Sequence, residues 1–201
     1  MNFPLTDGVF AQADALLGFD WFSYSAWIDR HPAIGTILWY SYSSWILQIV
    51  VLGIIHCMRT GSEDNAEFIW CFIIGMLIVI IVAIPFPALG YPGKIGQHHI
   101  DVLLAARSGV VKEVDGIITF SSFHTVLGLL LIYYSRVLKP LLVITVPLNV
   151  LLILAAPPMG GHYLVDVIAG FVVAGVTIKV VRWFRLSRLA QFDPLRRVSI
   201  W

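Results

Sequence analysis

A histidine and an aspartate stand four residues apart, His162 and Asp166, in the stretch GGHYLVDVIAG from Gly160 to Gly170, which opens an apolar run continuing to about Val181. On a helix that spacing puts both side chains on one face, one turn apart. A carboxylate beside an imidazole fixes its tautomer and stabilises its cation, which prepares a basic or nucleophilic histidine. A pair so spaced can also do no more than tie helix ends together, but a carboxylate inside a membrane segment is costly, usually functional and normally partnered. A second histidine, His124, lies in TFSSFHT (Thr119 to Thr125), where Ser121 and Ser122 offer N-caps for a following helix. His124 and His162 are 38 residues apart. Two helices of roughly 19 residues at roughly 1.5 Å each make one membrane crossing and one return, and Lys139-Pro140 near the midpoint supplies the turn. The chain therefore brings both histidines to one membrane face. The N-terminal N–H groups and positive dipole ends of their two helices form an anion site there. Arg107 or Lys94, in the polar segment before His124, adds charge, and an arginine can clasp a phosphate in bidentate fashion. Two histidines, an aspartate, helix N-termini and a cation suit phosphoryl transfer through a nucleophilic histidine and an acid histidine.

The elements that must hold these groups are membrane helices. Of 201 residues, 59% are hydrophobic and only 12% charged, more apolar than a soluble domain of this size requires. The hydropathy predicts an all-α polytopic bundle with five spans: about Ile34 to Met58, Phe68 to Phe86, Ile117 to Val137, a fourth ending near Ala156, and a fifth starting at His162. Tyr40, Ser41, Tyr42, Ser43, Ser44 and Gln48 give the first span a face that looks into the bundle. Pro157, Pro158, Gly160 and Gly161 read as the turn before the fifth span. The chain reads as one membrane-embedded domain over 1–201. Residues 1–33 form an N-terminal interfacial helix, 88–118 a structured extracytoplasmic loop with an amphipathic helix in HHIDVLLAARSG, and 182–201 a basic tail suited to a membrane-surface helix.

Charge sets the orientation. With the tail in the cytoplasm, Arg59, Arg136, Lys139, Lys179, Arg182, Arg185, Arg188, Arg196 and Arg197 fall inside, against Arg30, Lys94, Arg107 and Lys112 outside, which satisfies the positive-inside rule. The 88–118 loop and the His162 region then face outward together. A net charge of +1 gives no case for nucleic acid. The N-terminus has no cationic stretch, so no cleaved signal peptide is expected. Cys57 and Cys71 make no disulfide framework. His31 and His56 are expected at the interface, and His98 and His99 as solvated loop residues.

SSFHT and GGHYLVD resemble the second and third motifs of the type 2 phosphatidic acid phosphatase superfamily, the membrane lipid-phosphate phosphatases. The usual second motif, Pro-Ser-Gly-His, is here Ser121-Ser122-Phe123-His124. The third keeps His162 and Asp166 but has Ala155-Ala156 in place of Ser-Arg, and Asp101 stands where the first motif, Lys and six residues before Arg-Pro, would put its arginine after Lys94. The variant pattern is similar to the branch containing inositol phosphorylceramide synthases and related bacterial phosphatases, in which an outer-loop arginine, the place of Arg107, precedes Ser-x-His and His-Tyr-x-x-Asp follows. The resemblance covers about His98 to Gly175 and loosely LLGFDW near the N-terminus.

The resemblance implies a metal-independent enzyme without cofactors, in which His162 attacks phosphorus to give a phosphohistidine and Asp166 orients it. His124 then protonates the leaving alcohol and activates the acceptor, while Arg107, Lys94, Ser122 and the Gly161 N–H hold the phosphate. It implies a phospholipid, sphingolipid or polyprenyl phosphate as substrate, hydrolysed at the outer face of a bacterial cytoplasmic membrane. Transfer to an alcohol acceptor is the nearest alternative. A metal site built from His98, His99, His162 and Asp166, or a non-catalytic lipid-binding or transport protein, is a further one.

Overall fold

The structure, a computed structural model, describes residues 3–91 and 120–192. Its regular elements are all helical: α1 (Asp7–Leu16), α2 (Trp21–Asp29), α3 (Pro32–Ser43), α4 (Trp45–Arg59), α5 (Ser62–Ala83), α6 (Phe123–Tyr134), α7 (Leu142–Gly160) and α8 (Leu164–Phe192). Short 3-10 turns at Ser135–Val137 and Lys139–Leu141 join α6 to α7. The all-α expectation holds. Three stretches are long and apolar enough to cross a membrane, Glu63–Ala83, Lys139–Gly160 and Leu164–Ser187, and α3 with α4 makes a fourth if that pair, bent by 46°, is one span. Among the described residues the structure thus supports three or four spans where hydropathy predicts five. The difference is α6, whose 12 residues reach only about 18 Å against a hydrocarbon core of about 30 Å.

α6 is the centre of the bundle. Val126, Leu127, Leu130, Leu131 and Tyr134 are buried, and no residue of the helix is exposed. Leu130, Leu131 and Val126 pack with Leu52 of α4, Phe68, Cys71 and Val79 of α5, and Val173, Ala174 and Val181 of α8. A helix apolar on all sides is satisfied by such an enclosure as well as by lipid.

Local chemistry explains the other departures. The first predicted span breaks at Ser44, whose hydroxyl donates to Ser41 O at 2.7 Å while the Ser41 hydroxyl donates to Ile37 O at 2.8 Å; serine side chains that compete for backbone carbonyls bend helices. The gap between the first two predicted spans is shorter in the structure, because Glu63 and Asp64 occupy the first turn of α5, where acidic groups complement the helix dipole. Pro157 and Pro158 are not in a turn but inside α7. Pro158 cannot donate to Leu154 O, and the Tyr24 hydroxyl donates to that carbonyl instead, at 3.0 Å. Trp21 Nε1 donates to Pro157 O at 2.9 Å. The basic tail is no separate surface helix as far as Phe192, since α8 runs on unbroken through it; Pro194 is the first proline after Pro158. Arg185 turns back to α5 and pairs with Asp64 at 2.6 Å and Glu67 at 2.5 Å. His56 is buried, not interfacial, with Nε2 3.0 Å from Tyr134 O.

The N-terminal segment is two helices, separated at Gly18, which takes a left-handed φ of 74°. Phe10 of α1 and Trp21 of α2 pack with Ala88, Tyr91 and Tyr163, so this segment covers the end of the bundle where α8 begins. Ile28 of α2, Leu38 of α3 and Ala155 of α7 form a second small core beside it.

Candidate active site

Three helix ends meet under that cover. Ser122 caps α6, its Oγ accepting the Thr125 N–H at 3.4 Å, and so sets His124 in the first turn. α7 ends on Gly161, whose φ of 67° is the left-handed conformation of a helix C-cap. His162 and Tyr163 follow, and α8 begins at Leu164. The Ser122 N–H donates to Asp166 O at 3.0 Å, tying α6 to α8. A Cβ on Gly170 would lie 2.7 Å from Thr125 Cβ and 2.9 Å from Ser122 O, so the two helices touch backbone to backbone at this level.

The structure brings together His124, His162 and Asp166. The two imidazole rings have centroids 6.4 Å apart. His162 Nδ1 lies 3.6 Å from Asp166 Oδ2, with both residues buried. Asp166 Oδ2 also accepts the Tyr163 N–H at 2.9 Å, which orients the carboxylate. Ser121 Oγ, Thr125 Oγ1 and Asp166 Oδ1 are buried and have no hydrogen-bond partner among the described residues, an unusual concentration of unmet polar capacity.

The N-terminus of α8 does not stand open to an anion as its position predicts. Asp14 of α1, fully buried, accepts the Leu164 N–H at 2.8 Å and the Val165 N–H at 3.0 Å, and takes the Tyr91 hydroxyl at 3.2 Å. Asp7 likewise accepts the Tyr163 hydroxyl at 3.0 Å and the Gly90 N–H at 2.9 Å. Burial, with these carboxylates adding to it, pushes the Tyr91 and Tyr163 phenols above their usual range, so both remain donors. The Gly161 N–H donates to Pro157 O at 3.0 Å, so what Gly161 supplies here is the left-handed turn, and a phosphate would have to displace that bond to use the N–H.

Ala155 and Ala156, at the place of the motif's Ser-Arg, are fully buried, so any cation must come from elsewhere. Arg107 and Lys94 lie outside the described residues, as do His98, His99 and the loop's amphipathic segment. Among the described residues no three His, Cys, Asp or Glu side chains are grouped as metal ligands.

Two contributors escape motif reading. Tyr42 of α3 stacks on His124, with centroids 4.1 Å apart and planes 21° apart, and its hydroxyl is 3.1 Å from His124 Nδ1. Asp14 is the other. Their signals are a tyrosine on the polar face of α3 and an aspartate interrupting an apolar helix.

The sequence matches the family described as the PAP2 superfamily over residues 9–180. No curated protein and no solved structure matches the chain.

Proposed function

The chain belongs to the PAP2 superfamily, and from that premise we propose that it hydrolyses a lipid phosphate monoester or pyrophosphate through a phosphohistidine, without a metal. Membership suggests a phosphatase-type enzyme, and the apolar helices suggest a membrane protein. The observation that carries the finer reading is the approach of His124 and His162, with Asp166 behind the second ring.

Asp166 engages His162 at Nδ1, which leaves the Nε2 lone pair as nucleophile. Nε2 bonds to phosphorus, the P–O bond to the lipid alcohol breaks, and the departing oxygen takes the proton of a cationic His124. In the second half, neutral His124 removes a proton from water, whose oxygen bonds to phosphorus as the P–N bond breaks. Inorganic phosphate leaves and His124 is again cationic. Ser122 and the Gly161 region line the phosphate position. Asp14 and Asp166 make the surroundings anionic, which increases the need for a cation, and Arg107 is the better fit with Lys94 second. The asymmetry of Lys and Arg supports a site on the outer, extracytoplasmic face and a cytoplasmic C-terminus.

Rapid quench with labelled lipid phosphate tests this reading. Acid-labile phosphoprotein should accumulate in the wild type, survive EDTA, and vanish in His162→Ala, while Asp166→Asn should fold yet trap little. Label trapped in His162→Ala, or activity lost to EDTA and restored by one metal, would overturn it. Adding inositol or another alcohol separates hydrolysis from transfer, because transfer yields a new phosphodiester or phosphomonoester in place of inorganic phosphate.

A further inference from the structure

Among the described residues of the first half of the chain, Tyr42 is the one whose side chain reaches His124 through a polar atom. Three observations single it out. Its ring lies flat on the imidazole, centroids 4.1 Å apart. Its hydroxyl meets Nδ1 at 3.1 Å. A Cβ on Gly160 would come within 2.6 Å of that hydroxyl and 2.8 Å of His162 Cδ2, so the same glycine gives room to the phenol and to the second histidine. Trp45, one turn further on, meets the imidazole edge-on, with centroids 6.3 Å apart. The bend at Ser44 thus presents an aromatic residue from each of its two arms to His124.

We propose that Tyr42 is a positioning residue for His124: its phenol oxygen accepts the Nδ1–H and holds the imidazole in the form whose Nε2 gives up and recovers the proton. The proposal rests on the reading of His124 as the acid and base of the reaction. A histidine that donates a proton must be the imidazolium, with both nitrogens protonated. Once Nε2 has lost its proton, the ring must keep the other on Nδ1, or Nε2 could not act as base toward water. An acceptor fixed at Nδ1 enforces this in both halves of the cycle. It also meets a second requirement, since an imidazolium N–H withdrawn from water without a partner is costly. The stacked ring restricts rotation about χ2, so the oxygen meets the same nitrogen each time. Asp166 does this for His162 with a carboxylate. A neutral phenol suits His124 better, because a second carboxylate would hold the proton that the leaving group needs.

The test compares wild type, Tyr42→Phe and His124→Ala on phosphatidate, whose alcohol needs a proton, and on 4-nitrophenyl phosphate, whose phenolate does not. Phenylalanine keeps the stacking and removes the oxygen. Tyr42→Phe should lower the rate of phosphoenzyme formation from phosphatidate, read by rapid quench, by roughly ten- to a hundred-fold, part of the 10²–10⁴ that acid catalysis contributes, with the rate of its formation from 4-nitrophenyl phosphate little changed. His124→Ala should show the same selectivity more strongly. If His124→Ala discriminates and Tyr42→Phe does not, or lowers both rates alike, the role of Tyr42 is wrong and the acid assignment stands. If His124→Ala itself treats the two substrates alike, the underlying reading fails. Nitrogen-15 NMR of histidine-labelled protein in micelles gives an answer that needs no turnover: neutral His124 should carry its proton on Nδ1 in the wild type and become a mixture in Tyr42→Phe. A wild-type ring protonated on Nε2 would overturn the proposal.

Discussion

The carboxylate of Asp14 accepts the N–H of Leu164, 150 residues away, at 2.8 Å. Through this bond and its neighbour at Val165, a helix at the start of the chain caps the helix that carries Asp166. An acidic cap complements the positive end of a helix and meets donors that no backbone carbonyl can reach.

Asp14→Ala leaves two part-buried N–H groups and the buried Tyr91 hydroxyl without their acceptor, at about 1–3 kcal/mol for a fully buried group. The thermal midpoint in detergent should fall and activity with it, and Asp14→Asn should lie between the two. A midpoint and rate equal to wild type would show that α1 is not needed to hold α8.

Gly170→Ala places a methyl against Thr125 and the Ser122 carbonyl. α6 must move off α8, and His124 with it. A misplacement of about 1 Å at a reacting group can cost on the order of 10²-fold, and kcat should fall by that order with helix content unchanged. Gly175→Ala is the control, since a Cβ there meets nothing within 4 Å. Equal rates in both variants would mean that the α6–α8 contact does not set the site.

Arg107→Ala should weaken phosphate binding more than Lys94→Ala, because a bidentate guanidinium is harder to replace than a point charge. The comparison is of kcat/KM and of inhibition by inorganic phosphate. Equal and small effects would show that neither supplies the charge absent at Ala155-Ala156.

A single cysteine placed within residues 88–118, in a background where the exposed Cys57 is serine, should react with an impermeant maleimide in intact cells. Labelling only after lysis would reverse the orientation.

The proposed catalytic trio was legible in part: two helices and a turn separate His124 from His162, as their spacing predicts, but His162 precedes α8 and does not share a helical face with Asp166. Its partners were not. Tyr42 and Asp14 act across 82 and 150 residues, and nothing local distinguishes Tyr42 from Tyr40, which is exposed. Hydropathy could not tell α6 from a lipid-facing span, since protein and lipid are equally apolar surroundings. The prolines of α7 misled for a related reason, because the Tyr24 hydroxyl that meets the Leu154 carbonyl comes from another helix.

The enclosure of α6 has a consequence for how the protein meets its bilayer. Hydrophobic mismatch acts on helices that touch acyl chains, tilting or stretching them as thickness changes. α6 offers no exposed residue to that force. Its position is fixed by contacts such as Gly128 against Ile153 and Thr125 against Gly170. Strain from a thicker or thinner membrane therefore falls on the outer helices, and the distance between His124 and His162 is set by protein packing.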